Sequence, residues 1–185
     1  MFPMAAPMAV PMWGPSHPSY DGKIRGNAIT AGSNSFSWAT GSRTLPEQGK
    51  YRIEYRVDRI DSGSIGDIIV GVASCAARVQ DHRDDLFPDG CYYWKSYYKG
   101  YGSSLCADGS RIQDNIPQES RAGSTIYVIV DQNASTVEFQ LGGAPVGLGG
   151  ACKLTIKPEH KRDLTPAASV YRSGSALTLV AVEAV

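Results

Sequence analysis

Between positions 51 and 58 the chain changes character at every residue. Tyr51, Ile53, Tyr55 and Val57 alternate with Arg52, Glu54, Arg56 and Asp58. Side chains two apart share a face only in an extended strand, so this segment has one dry and one wet face. The same period returns where Val137, Phe139 and Leu141 alternate with Thr136, Glu138 and Gln140. Three further runs, Ile68–Ala73, Ile126–Val130 and Leu177–Val182, are apolar on both parities and read as central strands. Weaker strands are expected over Ile24–Thr30, Ser35–Thr40, Cys91–Tyr98 and Ser103–Ala107. No segment carries a convincing helical period, and Pro158–Leu164 can make one turn at most.

Turn chemistry separates these runs. Asp131–Ser135 joins two strands as a hairpin, because Asn and Asp tolerate left-handed and side-chain-bonded turns. Gly142-Gly143, Asp61–Ser64 and Asp108-Gly109-Ser110 mark other reversals. With 20 Gly and 11 Pro to punctuate 185 residues, the pattern predicts an all-β chain, a sandwich or a barrel over residues 22–185. Residues 1–21 form a Pro/Met-rich leader in which Pro3, Pro7 and Pro11 block both helix and ladder bonding. Two readings of it stand: a disordered tail, or an extended arm lying in a groove of this domain or of a partner, with Met8, Met12 and Trp13 as contacts.

Charge and cysteine usage narrow the function. Formal net charge is zero, which supplies no whole-molecule attraction to nucleic acid or anionic lipid. No stretch approaches the roughly 18 apolar residues of a membrane helix. Cys75, Cys91, Cys106 and Cys152 lack the paired spacing of a zinc site, so no metal is expected. The leader has no basic residue before Lys23 and is broken by proline, unlike a signal peptide. Reduced thiols and a cytoplasmic location, not a secreted one, are therefore expected.

Catalytic constellations are weak. Asp81, His82, Arg83, Asp84 and Asp85 form the densest polar cluster, but consecutive residues diverge and Arg83 repels a cation, so a solvated loop is expected. His17, His82 and His160 are the only histidines, and none has an evident nucleophile with an orienting third group. There is no phosphate loop, dinucleotide fingerprint or nucleophile elbow, so no cofactor is expected. The aromatic stretch Tyr92–Tyr101 alternates, Tyr92 and Trp94 facing one way, Tyr93, Lys95 and Tyr97 the other. Core packing and a protein-binding face explain it better than base stacking.

Taken in order, these strands resemble the SPRY domain. Gly49–Tyr55 is similar to that family's "gkyyfEv" strand and Ile68–Ala73 to its "i.vGva" strand. Trp94 with Tyr97, Tyr98 and Gly100 resembles "W.yy..G". Gly123–Asp131 resembles "GDvIGv.lD", Thr136–Gly147 resembles "tisFyvNG...G", and Leu164–Val170 is similar to "lyPavsl". The family's "GD" is Gly123-Ser124 here and its "NG" is Gly142-Gly143, both at turns. The resemblance implies a bent, two-sheet antiparallel β-sandwich, concanavalin-like, that recognises proteins through loops and carries no catalytic residue.

The loops expected to bind are Arg43–Gln48, Ala76–Asp89 and Lys99–Tyr101. The residues named are Arg43, Asp81, His82, Arg83, Asp84, Asp85, Phe87, Tyr93, Tyr97 and Tyr101, with Met8, Met12 and Trp13 of the leader. The expected role is a non-catalytic protein-interaction module, a scaffold subunit of a larger intracellular assembly (cytoskeletal, ciliary or ribonucleoprotein). Its partners would be proteins, not membrane, nucleic acid or a small-molecule substrate. The alternatives are a lectin-like carbohydrate-binding sandwich and, further off, a glycoside-cleaving enzyme using Glu54, Glu138 or Asp131.

Overall fold

The structure, a computed structural model, describes residues 11–14, 22–32, 37–60, 68–74, 90–96 and 102–185. Their fourteen strands are β1 (Lys23–Arg25), β2 (Ala28–Thr30), β3 (Ser37–Thr40), β4 (Lys50–Arg59), β5 (Ile68–Ser74), β6 (Cys91–Ser96), β7 (Ser103–Ala107), β8 (Ser110–Ile116), β9 (Thr125–Asp131), β10 (Thr136–Leu141), β11 (Ala144–Pro145), β12 (Leu154–Thr155), β13 (Leu164–Val170) and β14 (Ala176–Ala184). One sheet of eight runs β1-β2-β14-β4-β9-β10-β11 with β12 also on β10, and one of six runs β3-β13-β5-β6-β7-β8. All pairings are antiparallel. A single 3-10 helix, Pro158–Asp163, interrupts the strands among the described residues.

The period-two residues meet between the sheets. Tyr51, Ile53, Tyr55 and Val57 of β4 and Val137 and Phe139 of β10 pack with Val70, Val72, Tyr92, Trp94 and Leu105 from the facing sheet. Tyr55 crosses the gap: its buried hydroxyl reaches the carbonyls of Gly71 at 3.0 Å and Ala167 at 3.3 Å, a facing pair of the β5–β13 ladder. Burial pushes this phenol far above its ordinary pKa, so it stays a donor. Tyr55→Phe keeps the ring and removes the inter-sheet bond, and is expected to cost roughly 1–2 kcal/mol in urea unfolding. A change within experimental error would mean the hydroxyl holds nothing together.

Three expectations need correction. Ile24–Thr30 is not one strand: Gly26 and Asn27 turn it into the β1–β2 hairpin, with Gly26 at φ 61°, a left-handed conformation that glycine adopts without steric cost. Strand β9 is not dry on both faces. Ile126, Val128 and Val130 are buried, while Tyr127 and Ile129 are only half-covered on the outside of the larger sheet, where the Arg52 guanidinium lies 5.4 Å over the Tyr127 ring. Strand β14 likewise has one inner face, and a bulge resets its phase: Leu179 pairs with Tyr55 but Ala181 with Glu54. Leu177, Leu179 and Val182 therefore all point inward despite their uneven spacing.

The six-stranded sheet is the one buried on both sides. Besides its share of the main core, Trp38, Ile69, Ala73, Cys91, Tyr93, Cys106 and Ala167 form a second apolar cluster. Strand β8, rich in polar residues, was not foreseen; it is an outer strand of this sheet, with only Ile116 buried.

Candidate functional site

One end of the sandwich carries a described surface built almost wholly of connections. The β3–β4 loop, the β9–β10 hairpin tip, the 3-10 helix and the β7–β8 turn converge there, beside the last residue of β5 and the residue preceding β6. The β3–β4 loop is pinned from within. Leu45 is 2% exposed, and its N–H donates to the Leu164 carbonyl at 2.7 Å. The Thr165 hydroxyl sits 3.0 Å from the carbonyls of both Gly41 and Arg43. At the loop's far end the Gly49 N–H donates to Asn133 Oδ1 at 3.1 Å and the Gln132 N–H to the Gly49 carbonyl at 2.9 Å. An apolar anchor between two polar stretches thus leaves Arg43, Thr44, Pro46, Glu47 and Gln48 exposed on a fixed backbone.

The 3-10 helix is fastened to the same end. Asp163 accepts from the Ser74 hydroxyl at 2.7 Å, and the Lys161 carbonyl from Gln132 Nε2 at 3.2 Å. Tyr92, whose ring is in the core, sends its hydroxyl outward to accept the Lys157 N–H at 2.9 Å and to meet His160 Nδ1 at 2.8 Å. With the ring proton on Nε2, Nδ1 accepts the phenol's proton; with it on Nδ1, the ring donates to the phenol oxygen. Asp108 completes the cluster by pairing with Lys157 and accepting the Gly90 N–H at 2.8 Å, with His160 3.9 Å away. Lys157, Lys161 and Arg162 surround His160 in sequence, and the fold brings Asp108 to the same place.

The cluster is structural in its electrostatics. Burial holds the Tyr92 hydroxyl above its ordinary pKa, opposed by the Lys157 N–H, so it is no phenolate nucleophile. Burial also pushes Asp108 up, but the bond and charge of Lys157 and the Gly90 N–H outweigh it, leaving the carboxyl below its usual 3.8. A depressed folded value stabilises the protein above the unfolded pKa, and this stability is lost as pH falls through the lower folded value. Asp114, lowered by the Ser104 hydroxyl bond, acts in the same sense. Asp108→Asn is therefore expected to be less stable than wild type at neutral pH and to lose less stability between about pH 5 and 3. Parallel melting curves across that range would contradict the assignment. Among the described residues no three His, Cys, Asp or Glu side chains are grouped to hold a metal, and no helix is long and apolar enough to cross a membrane.

Of the expected site residues, Arg43 lies exposed on this end and Met12 is 53% exposed. Tyr93 is not at a surface: it is 2% exposed in the second apolar cluster, edge-on to Trp38 at 6.1 Å. Trp13 is also interior, 5% exposed and stacked on Tyr55. Met8, Asp81, His82, Arg83, Asp84, Asp85, Phe87, Tyr97 and Tyr101 lie outside the described residues. The described residues that flank the three expected loops do not share one end. Arg43–Gln48 and the flanks of the β5–β6 connection, Ser74 and Gly90, are together, whereas β6 ends and β7 begins at the opposite end, where Ser96 faces Ile68. Asp108, Tyr92, Lys157 and His160 were missed as a group. The Asp108-Gly109 reversal was legible, but nothing in it points 49 residues ahead to Lys157.

The fold has relatives among solved structures. The chain is similar to the SPRY domain of human HERC1, with TM-score 0.61 and 19% identity over 84% of this chain and 88% of that one. It is similar to the TRIM65 PSpry domain, with TM-score 0.65 and 11% identity over 92% and 89%. It is similar to the Drosophila melanogaster neuralized NHR1 domain, with TM-score 0.56 and 13% identity over 94% and 99%. No family model matches the chain, and no curated protein matches it. The expected SPRY-like, all-β sandwich is the observed fold.

Proposed function

We propose that this chain, a SPRY-type sandwich, is a non-catalytic protein-recognition module that meets its partner through the end face formed by Ser42–Gln48, Gln132–Ser135 and Pro158–Asp163. The observation that carries this reading is the pinned β3–β4 loop, with Leu45 buried and five polar or proline neighbours exposed. A loop already held in one conformation loses little entropy on binding, so its exposed side chains can contribute affinity directly. The face mixes Arg43, Lys157 and Arg162 with Glu47, Glu159 and Asn133, which suits a polar protein surface better than a phosphate backbone.

The finer reading is a fixed subunit of a larger cytoplasmic assembly, cytoskeletal, ciliary or ribonucleoprotein. Its support is the zero net charge, which offers no long-range steering to a transient, charge-driven partner, together with an apolar leader suited to contact. The test is affinity capture from source cells with the wild-type chain and the double variant Arg43→Glu/Glu47→Arg. Both positions are exposed, so the melting curve should move by no more than roughly 0.5 kcal/mol. Specific partners should fall by at least about tenfold. Equal capture by both proteins would remove the end face from the interaction.

A further inference from the structure

Among the described residues the leader contributes one segment to the sandwich, and the way it is held is unlike the rest of the fold. Pro11–Gly14 lies across the open side between the β3 edge of one sheet and the β1–β2 turn of the other. The Gly14 N–H donates to the Thr40 carbonyl at 2.7 Å, and the Ser42 N–H to the Met12 carbonyl at 3.0 Å. The Trp13 N–H reaches the Gly26 carbonyl at 3.3 Å, and its indole N–H the Asn27 carbonyl at 2.8 Å. The indole fills a slot against Tyr55, ring centroids 6.2 Å apart. Pro11, at the start of the segment, has no N–H with which to extend this contact into a longer ladder.

The walls of the slot are fastened by bonds in which the strap takes no part. Tyr55 is fixed by Gly71 and Ala167. The Asn27 carbonyl also accepts the Leu179 N–H at 2.8 Å, and the Gly41 N–H donates to Pro166 at 2.7 Å. An apolar slot rimmed by backbone acceptors, its walls held by bonds of their own and filled by a short aromatic segment, has the anatomy of a peptide site occupied by its own ligand.

We propose that this slot is a peptide-binding site whose resident ligand is the chain's own Pro-Met-Trp-Gly segment, and that its occupant in trans is the same segment of a second copy. Every copy carries the matching ligand, and exchanged contacts are identical to the intramolecular ones, so exchange is reciprocal and closes as a dimer. The residues between Gly14 and Lys23 set how strongly the intramolecular arrangement is favoured, through effective concentration. This inference goes beyond the end-face reading and stands without it.

The experiment uses the full chain with a protease site introduced among residues 15–21, cut after folding. A labelled peptide of residues 8–16 is then titrated into the cut protein and followed by fluorescence polarisation. Saturable one-to-one binding is expected, at least about tenfold weaker for the peptide carrying Trp13→Ala. Uncut donor- and acceptor-labelled chains, mixed at high concentration, should develop energy transfer that Trp13→Ala in both chains abolishes. A cut protein that stays folded but binds no peptide overturns the proposal, as does one that binds both peptides equally. Unfolding on cutting also overturns it, because the walls must stand alone. Peptide binding without energy transfer overturns the second copy as occupant.

Discussion

Gly71→Ala is expected to destabilise the sandwich by more than roughly 3 kcal/mol. Gly71 lies mid-strand in β5, opposite Tyr93 in the register with β6. A Cβ there would stand 2.1 Å from the Tyr92 carbonyl oxygen and 2.7 Å from the Tyr93 Cα. Both are backbone atoms of a strand buried on both faces, so no flexible side chain can move aside. Overpacking usually costs about 1–3 kcal/mol where side chains can adjust. Here the β5–β6 pairing itself must open, and the Gly71 carbonyl that receives Tyr55 shifts with it. A loss above roughly 3 kcal/mol removes much of the 5–15 kcal/mol typical of a domain. Far-UV circular dichroism and urea titration decide the matter. A cooperative transition within about 1 kcal/mol of wild type would show that the two strands approach less closely than described.

Trp13→Ala should be the costliest change in the leader, at about 3–5 kcal/mol, the range for emptying a buried aromatic site. The indole is 5% exposed, stacks on Tyr55 and donates to Asn27. The sandwich should nevertheless stay folded, since neither sheet's ladder includes the strap beyond the single bridge from Trp13 to Gly41. Trp13→Phe should recover most of the loss, because Asn27 keeps its bond from Leu179. Urea unfolding of the three proteins tests this. Equal stability for Trp13→Ala and wild type would place Trp13 outside the core.

The contrast between these positions shows what could be read from sequence. Alternation in Lys50–Arg59 and Thr136–Leu141 identified the inner faces because a wet outer face leaves a period-two record. The "Gly71" position was recognised from a family pattern, and its physical cause, contact with the β6 backbone, needed coordinates. Trp13 left no periodic signal, since proline on both sides erases one, so its docking in this domain remained one of two readings. Strand β8 escaped because an outer strand with two isoleucines among polar residues carries little pattern. Tyr93 was misplaced because Cys91–Trp94 is apolar on both parities, which already hinted at a strand covered on two sides. The Asp108–Lys157–His160–Tyr92 cluster joins four separate stretches of chain, and only the sheet topology brings them together.

The central claim, that this sandwich works by contact through its loop-built end, is tested most directly by hydrogen–deuterium exchange of the chain alone and bound to a partner recovered by capture. Protection on binding should concentrate in Ser42–Gln48, Gln132–Ser135 and Pro158–Asp163, with the strands of the eight-stranded sheet unchanged. Protection confined to the outer face of β4, β9 and β10, with that end face exchanging as before, would contradict it.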